Sequence, residues 1–108
     1  MDIKDKLIGT WKQFRSDNQM TIGPNLTLSV NHGASKGKNL ILVVSLNTTF
    51  NKYQIIAPQI GLNHGIINSL TDEELIIDSL DAPGDLVVDS ITGEFLEGFT
   101  RFVFNKVW

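Results

Sequence analysis

Leu7-Ile8-Gly9-Thr10-Trp11-Lys12 is the stretch on which the fold turns. Just before it, Ile3 and Leu7 stand four apart, on one side of a short helical turn. Gly9 ends that turn. From Thr10 to Arg15 the chain reads as a strand with Trp11 as its one large apolar anchor. Further out, Gln19 to Val30 alternates. Met20, Ile22, Leu26, Leu28 and Val30 share one parity, with Thr21, Thr27 and Ser29 on the other. Proline lacks the donor a central strand needs, so Gly23-Pro24 predicts a bulge or bend within this run.

The rest of the chain repeats the pattern. Asn31 to Asn39 is a polar loop, and Leu40 to Phe50 is an extended run opened by five consecutive apolar residues. Asn51-Lys52 is a tight connection, and Tyr53 to Ile60 is extended again. Asn63-His64-Gly65 has the composition of a turn. Thr71 and Glu74 fit a capping box, which would start a helix. The consecutive Leu75, Ile76 and Ile77, with Pro83 close behind, favour a strand over 75–80 instead. Ala82-Pro83-Gly84-Asp85 reads as a turn, Leu86 to Ile91 as a strand, and Phe95 and Leu96 as part of a loop. Phe99 to Val107 closes the chain. Short strands joined mostly by short turns favour antiparallel neighbours. About eight of them can close on themselves and remove exposed edges.

Composition agrees. Val, Ile and Thr number 27 against three Ala, and Cβ branching suits a pleated strand better than a helix. The 108 residues make a single domain, 1–108, with 37 Leu, Ile, Val and Phe to fill its core. There is no cysteine, hence no disulfide framework. No apolar run approaches the ~18 residues of a membrane span. Met1 to Lys6 has no signal-peptide character, so, barring a removed leader, a cytoplasmic protein is expected. Residues 1–54 carry a net charge of +4 and residues 55–108 a net of −7. An acidic chain without an aromatic-interleaved basic stripe argues against nucleic-acid binding. The two halves are expected to alternate around one sheet.

Gly9-Thr10-Trp11 resembles the opening of lipocalin-type proteins, in which Gly-x-Trp begins the first barrel strand. Thr100-Arg101-Phe102-Val103-Phe104-Asn105-Lys106-Val107 is similar to the closing strand of bacterial lipocalin-like (calycin) domains and of fatty-acid-binding proteins. Ile67 to Ile77 resembles a hairpin of the small bacterial members. The resemblance implies an eight-stranded antiparallel barrel with a short N-terminal helical turn. In it Trp11 plugs one end, and Arg101, preferred to Lys106, lies over the indole. A second likeness is to staphostatins, cytoplasmic inhibitors of cysteine proteases. It rests on Glu73 to Ile76 and on Gly98-Phe99-Thr100-Arg101, and implies that an extended segment before the last strand enters a protease cleft.

Catalytic constellations are scarce. His32 and His64 stand in loops beside Asn and Gly, and no spacing fits a metal site or calls for a cofactor. Asp72-Glu73-Glu74 reads as a solvated cap, and Gly33-Ala34-Ser35-Lys36-Gly37-Lys38 lacks the context of a phosphate loop. The leading expectation is therefore a non-enzymatic barrel holding a small hydrophobic ligand. Its walls, chosen by alternation alone, are Met20, Ile22, Leu42, Val44, Tyr53, Ile55, Phe102 and Phe104. The alternative is a protein-binding module of staphostatin type, using Phe95, Leu96, Gly98 and Phe99. A pocket that preorganises a cyclisation or isomerisation needs no motif and is the enzymatic class left open. The chain is expected as a monomer or a homodimer, with Trp108 either frayed or a dimer contact.

Overall fold

Ile3 and Leu7 do share one side of a turn: helix α1 runs Ile3–Leu7 and buries Leu7 completely. The computed structural model describes residues 3–81 and 86–107; the expected turn at 82–85 and the contact assigned to Trp108 lie outside them. After α1 come β1 (Gly9–Gln13), β2 (Gln19–Ile22), β3 (Thr27–Val30), β4 (Leu40–Ile41) and β5 (Val43–Asn47). Then follow β6 (Lys52–Ala57), a 3-10 turn (Pro58–Ile60), β7 (Leu62–Leu70), β8 (Glu74–Leu80), β9 (Val87–Val88), β10 (Phe95–Glu97) and β11 (Phe99–Lys106).

The main sheet has nine strands in the order β4-β3-β2-β1-β11-β8-β7-β6-β5, every pair antiparallel. The two strands at its ends, β4 and β5, are separated in the chain only by Leu42. One bent run therefore pairs with β3 through its first part and with β6 through its second. This curls the sheet into a nearly closed barrel. Leu42 sits at the bend, buried, with its N–H donated to the Leu26 carbonyl at 3.3 Å.

The count is nine rather than eight for three reasons. The run from Leu40 divides at Leu42. The Gln19–Val30 run also divides, because Gly23-Pro24 makes a full reversal rather than a bend. There Gly23 N–H donates to Thr27 O, and Leu26 takes a left-handed φ of 56°. Finally, Leu86–Ile91 is not a main-sheet strand. Only Val87–Val88 is extended, and it pairs with β10 in a separate two-stranded ribbon, so Phe95 and Leu96 are strand rather than loop. Asp89 stops β9 because its carboxylate accepts the N–H groups of Ile91 (2.8 Å) and Thr92 (2.9 Å). The Thr92 and Ile91 amides hold this carboxyl below its ordinary range.

Parity is kept through the turn at 23–26. Ile22 lies opposite Leu28 and Met20 opposite Val30, so the whole row points inward. With Trp11, Leu40, Ile55, Ile67, Leu75 and Ile77 it forms the main core. The capping geometry at Thr71 also exists, with its hydroxyl accepting Glu73 and Glu74 N–H at 3.2 and 3.0 Å. It closes a β7–β8 turn instead of starting a helix, because Leu75 and Ile77 are buried on the inner face of a strand and Asp78 and Leu80 on its outer face.

Both faces are buried because the ribbon covers the outside of the sheet. Ile66, Leu80 and Phe95 form a second buried cluster there, joined by Phe50, Leu86 and Phe99. Phe95 meets Phe50 and Phe99 edge-on, with centroids 5.3 and 5.8 Å away.

Asn63-His64-Gly65 is not a turn but lies inside β7. Gly65 faces Ile55 so closely that an added Cβ would stand 2.5 Å from the Ile55 carbonyl oxygen and 2.9 Å from Leu62 Cδ1. Glycine is required there by contact between strands. Gly65→Ala is expected to destabilise the fold by about 1–3 kcal/mol in chemical denaturation. An unchanged midpoint would contradict the β6–β7 register.

Candidate functional site

The site begins at Trp11. Its indole is fully buried, and Nε1–H donates to the Leu7 carbonyl of α1 at 2.9 Å, so the helical turn and the first strand fix each other. Trp11 lies directly opposite Lys106 in the β1–β11 ladder, and the Lys106 ammonium stands 5.3 Å from the ring centroid. The cation over the indole is thus Lys106, not Arg101. Side chains alternate between faces along a strand, and Arg101 has the opposite parity to Lys106. It therefore projects to the outer face.

On that outer face Arg101 pairs with its cross-strand neighbour Asp78. Nε and Nη2 donate to the two carboxylate oxygens at 2.8 and 3.1 Å. Asn68, displaced by a bulge in β7, donates to the same carboxylate at 2.7 Å. Asp78 is completely buried, while the Arg101 side chain is 44% exposed and rests over the Phe99 ring. The Asp78 carboxylate holds the guanidinium even more firmly protonated than usual. Three donated hydrogen bonds compensate the buried charge, so this cluster organises structure rather than chemistry.

Between β1, β2, β3, β7, β8 and β11 the barrel is hollow. A cavity of about 200 Å³ opens to solvent at the end of the barrel remote from α1. Met20, Val30, Leu62, Ile77, Phe102 and Phe104 make its apolar wall, and Gln13, Asn18, His32 and Ser79 contribute polar groups. Gln13 and Ser79 are placed by register: Gln13 is opposite Phe104, and Ser79 is two residues beyond Ile77 on the inward face of β8.

Three of the eight expected wall residues, Met20, Phe102 and Phe104, line this cavity. Ile22, Leu42 and Ile55 are buried in packed core, and Val44 packs against it. Tyr53 is 39% exposed opposite Leu46, away from the cavity. Sequence reasoning missed Gln13, Asn18, Gln19, Val30, His32, Ile60, Gly61, Leu62, Ile77 and Ser79. One signal for His32 was its place just after Val30, since a loop that follows a barrel strand stands at a mouth.

The segment expected to enter a partner's cleft is already engaged. Phe95 is buried in the outer cluster, and β10 pairs with β9. Gly98 turns the chain from β10 into β11 at φ 85°, and its carbonyl accepts Asp81 N–H at 2.9 Å. Leu96 is exposed and Phe99 half-buried. Among the described residues no three His, Cys, Asp or Glu cluster to hold a metal, and no helix is long and apolar enough to cross a membrane.

Compared with known proteins, the chain matches no family model, no curated protein and no solved structure.

Replacing Arg101 by Met leaves Asp78 buried with Asn68 as its remaining donor. The expected loss is roughly 2–3 kcal/mol, below the ~3–5 kcal/mol of a fully buried pair because the guanidinium is half exposed. Asp78→Leu with Arg101→Met should recover most of it in equilibrium unfolding. A double variant no more stable than the single one would contradict this account of the pair.

Proposed function

We propose that this protein is a non-enzymatic, lipocalin-like barrel that holds one small apolar molecule in the cavity lined by Met20, Val30, Ile77 and Phe102. The observation that carries the reading is the half-open cavity, because barrel interiors of this size are otherwise filled by their own side chains. Binding would come from removing apolar ligand surface from water against a wall that is already formed. The cavity is small. About 150 Å³ suffices for benzene in a protein interior, so the occupant is a single ring or a short chain rather than a long-chain lipid.

Val30 lines the cavity and is otherwise buried, so Val30→Phe places a ring in the space a ligand would use. Calorimetric titration with toluene is expected to show saturable binding to the native protein. The Val30→Phe chain, folded by circular dichroism, should bind at least about tenfold more weakly. Equal affinity in both would place the binding elsewhere and remove this reading.

A second reading, a protein-binding module such as a staphostatin-type inhibitor, is favoured by one feature. The β9–β10 ribbon and the turn that connects its strands expose Val87, Val88, Ile91 and Leu96, with Ile91 93% exposed. Inhibition of a papain-like protease that is lost in Leu96→Asp would support it. Its absence in the native chain would count against that mode of binding.

A further inference from the structure

The cavity's polar groups say more about its occupant than its size does. This inference rests on the ligand-binding reading above.

Among the described residues no Lys, Arg, Asp or Glu lines the cavity. The two cations of the closing strand are committed elsewhere, Arg101 to Asp78 on the outer face and Lys106 to the Trp11 ring. An ionised ligand would therefore lose its hydration against an apolar wall with no opposite charge to replace it.

The neutral polar groups, in contrast, are available. Among the described residues the side chains of Gln13, Asn18 and Ser79 make no hydrogen bond to the protein. His32 can be assigned a tautomer from its neighbours. The Asn31 amide is fixed at both ends: its Nδ2 donates to the Asp17 carbonyl at 3.0 Å, and its Oδ1 accepts Gln19 N–H at 2.8 Å. The His32 Nδ1, 3.2 Å from that same Oδ1, must then be the protonated nitrogen. In the neutral ring this leaves Nε2 as the acceptor that His32, one of the lining residues, can offer. The rim therefore offers an acceptor for a ligand O–H together with hydroxyl and amide donors for its oxygen.

We propose that the cavity takes a small neutral ring or short-chain compound carrying a hydroxyl group, and that it rejects the corresponding carboxylate. The apolar part rests against Met20, Val30, Ile77 and Phe102. The hydroxyl stays at the rim, donating to His32 Nε2 and accepting from Gln13 or Ser79.

Three probes of one shape separate the terms: toluene, 4-methylphenol and 4-methylbenzoate, titrated calorimetrically at neutral pH into the native chain. The expected order is 4-methylphenol tightest, toluene next, and 4-methylbenzoate weaker than 4-methylphenol by an order of magnitude or more. His32→Phe should reduce the preference for 4-methylphenol over toluene several-fold while leaving toluene binding in place. Toluene binding with 4-methylbenzoate as tight as 4-methylphenol would overturn this inference and leave the apolar-ligand reading standing. So would a preference unchanged in His32→Phe together with Gln13→Leu. No binding of any probe to the folded chain would overturn both.

Discussion

The fold depends on one bent run of chain, Leu40 to Asn47, that belongs to both ends of the sheet at once. Its first residues pair with β3 and its later ones with β6, and Leu42 between them turns inward. Without that exchange of partners the sheet would end in two unpaired edges and could not enclose a core. With it, the inward rows of all nine strands must share one interior. Space inside is then limited by how those rows are filled. At the α1 end the inward positions are Leu7, Ile22, Leu28 and Leu40, and the barrel is solid. At the other end they include Gln13 and Ser79, which do not pack together, and the barrel is hollow.

The outer surface explains a feature that an alternating barrel strand would not show. Ile66-Ile67 and Leu75-Ile76-Ile77 are consecutive apolar residues, although strands with one wet face alternate. Here the β9–β10 ribbon, anchored by Phe95, covers the outer side of β7, β8 and β11, so Ile66 and Leu80 are buried outside while Ile67 and Ile77 are buried inside. The buried Asp78 lies on that covered side and is matched by Arg101 and Asn68. No described buried side-chain polar atom is left without a partner.

Much of the architecture was legible along the chain, because periodicity and turn chemistry are local. The spacing of Ile3 and Leu7, the inward row from Met20 to Val30, and the extended character of 75–80 all depend on residues a few positions apart. What was not legible depends on register. Arg101 and Lys106 are equally basic, and only knowing that Lys106 is opposite Trp11 shows which one reaches the indole. Asn63-His64-Gly65 has turn composition, yet Gly65 is small because Ile55 presses on it from another strand. The cavity joins β1, β2, β3, β7, β8 and β11, so its rim could not be assembled from alternation within any one of them. Alternation did find Met20, Phe102 and Phe104, the members that lie on long, regular inward rows.

The most direct test of a hollow barrel mouth is methyl NMR on chain labelled at Met, Val, Leu and Ile, with 4-methylphenol added stepwise. The account predicts saturable shifts at Met20, Val30, Leu62 and Ile77, with Ile66 and Leu80 of the outer cluster unmoved. Shifts centred on Ile66 and Leu80, or none anywhere in a folded sample, would contradict it.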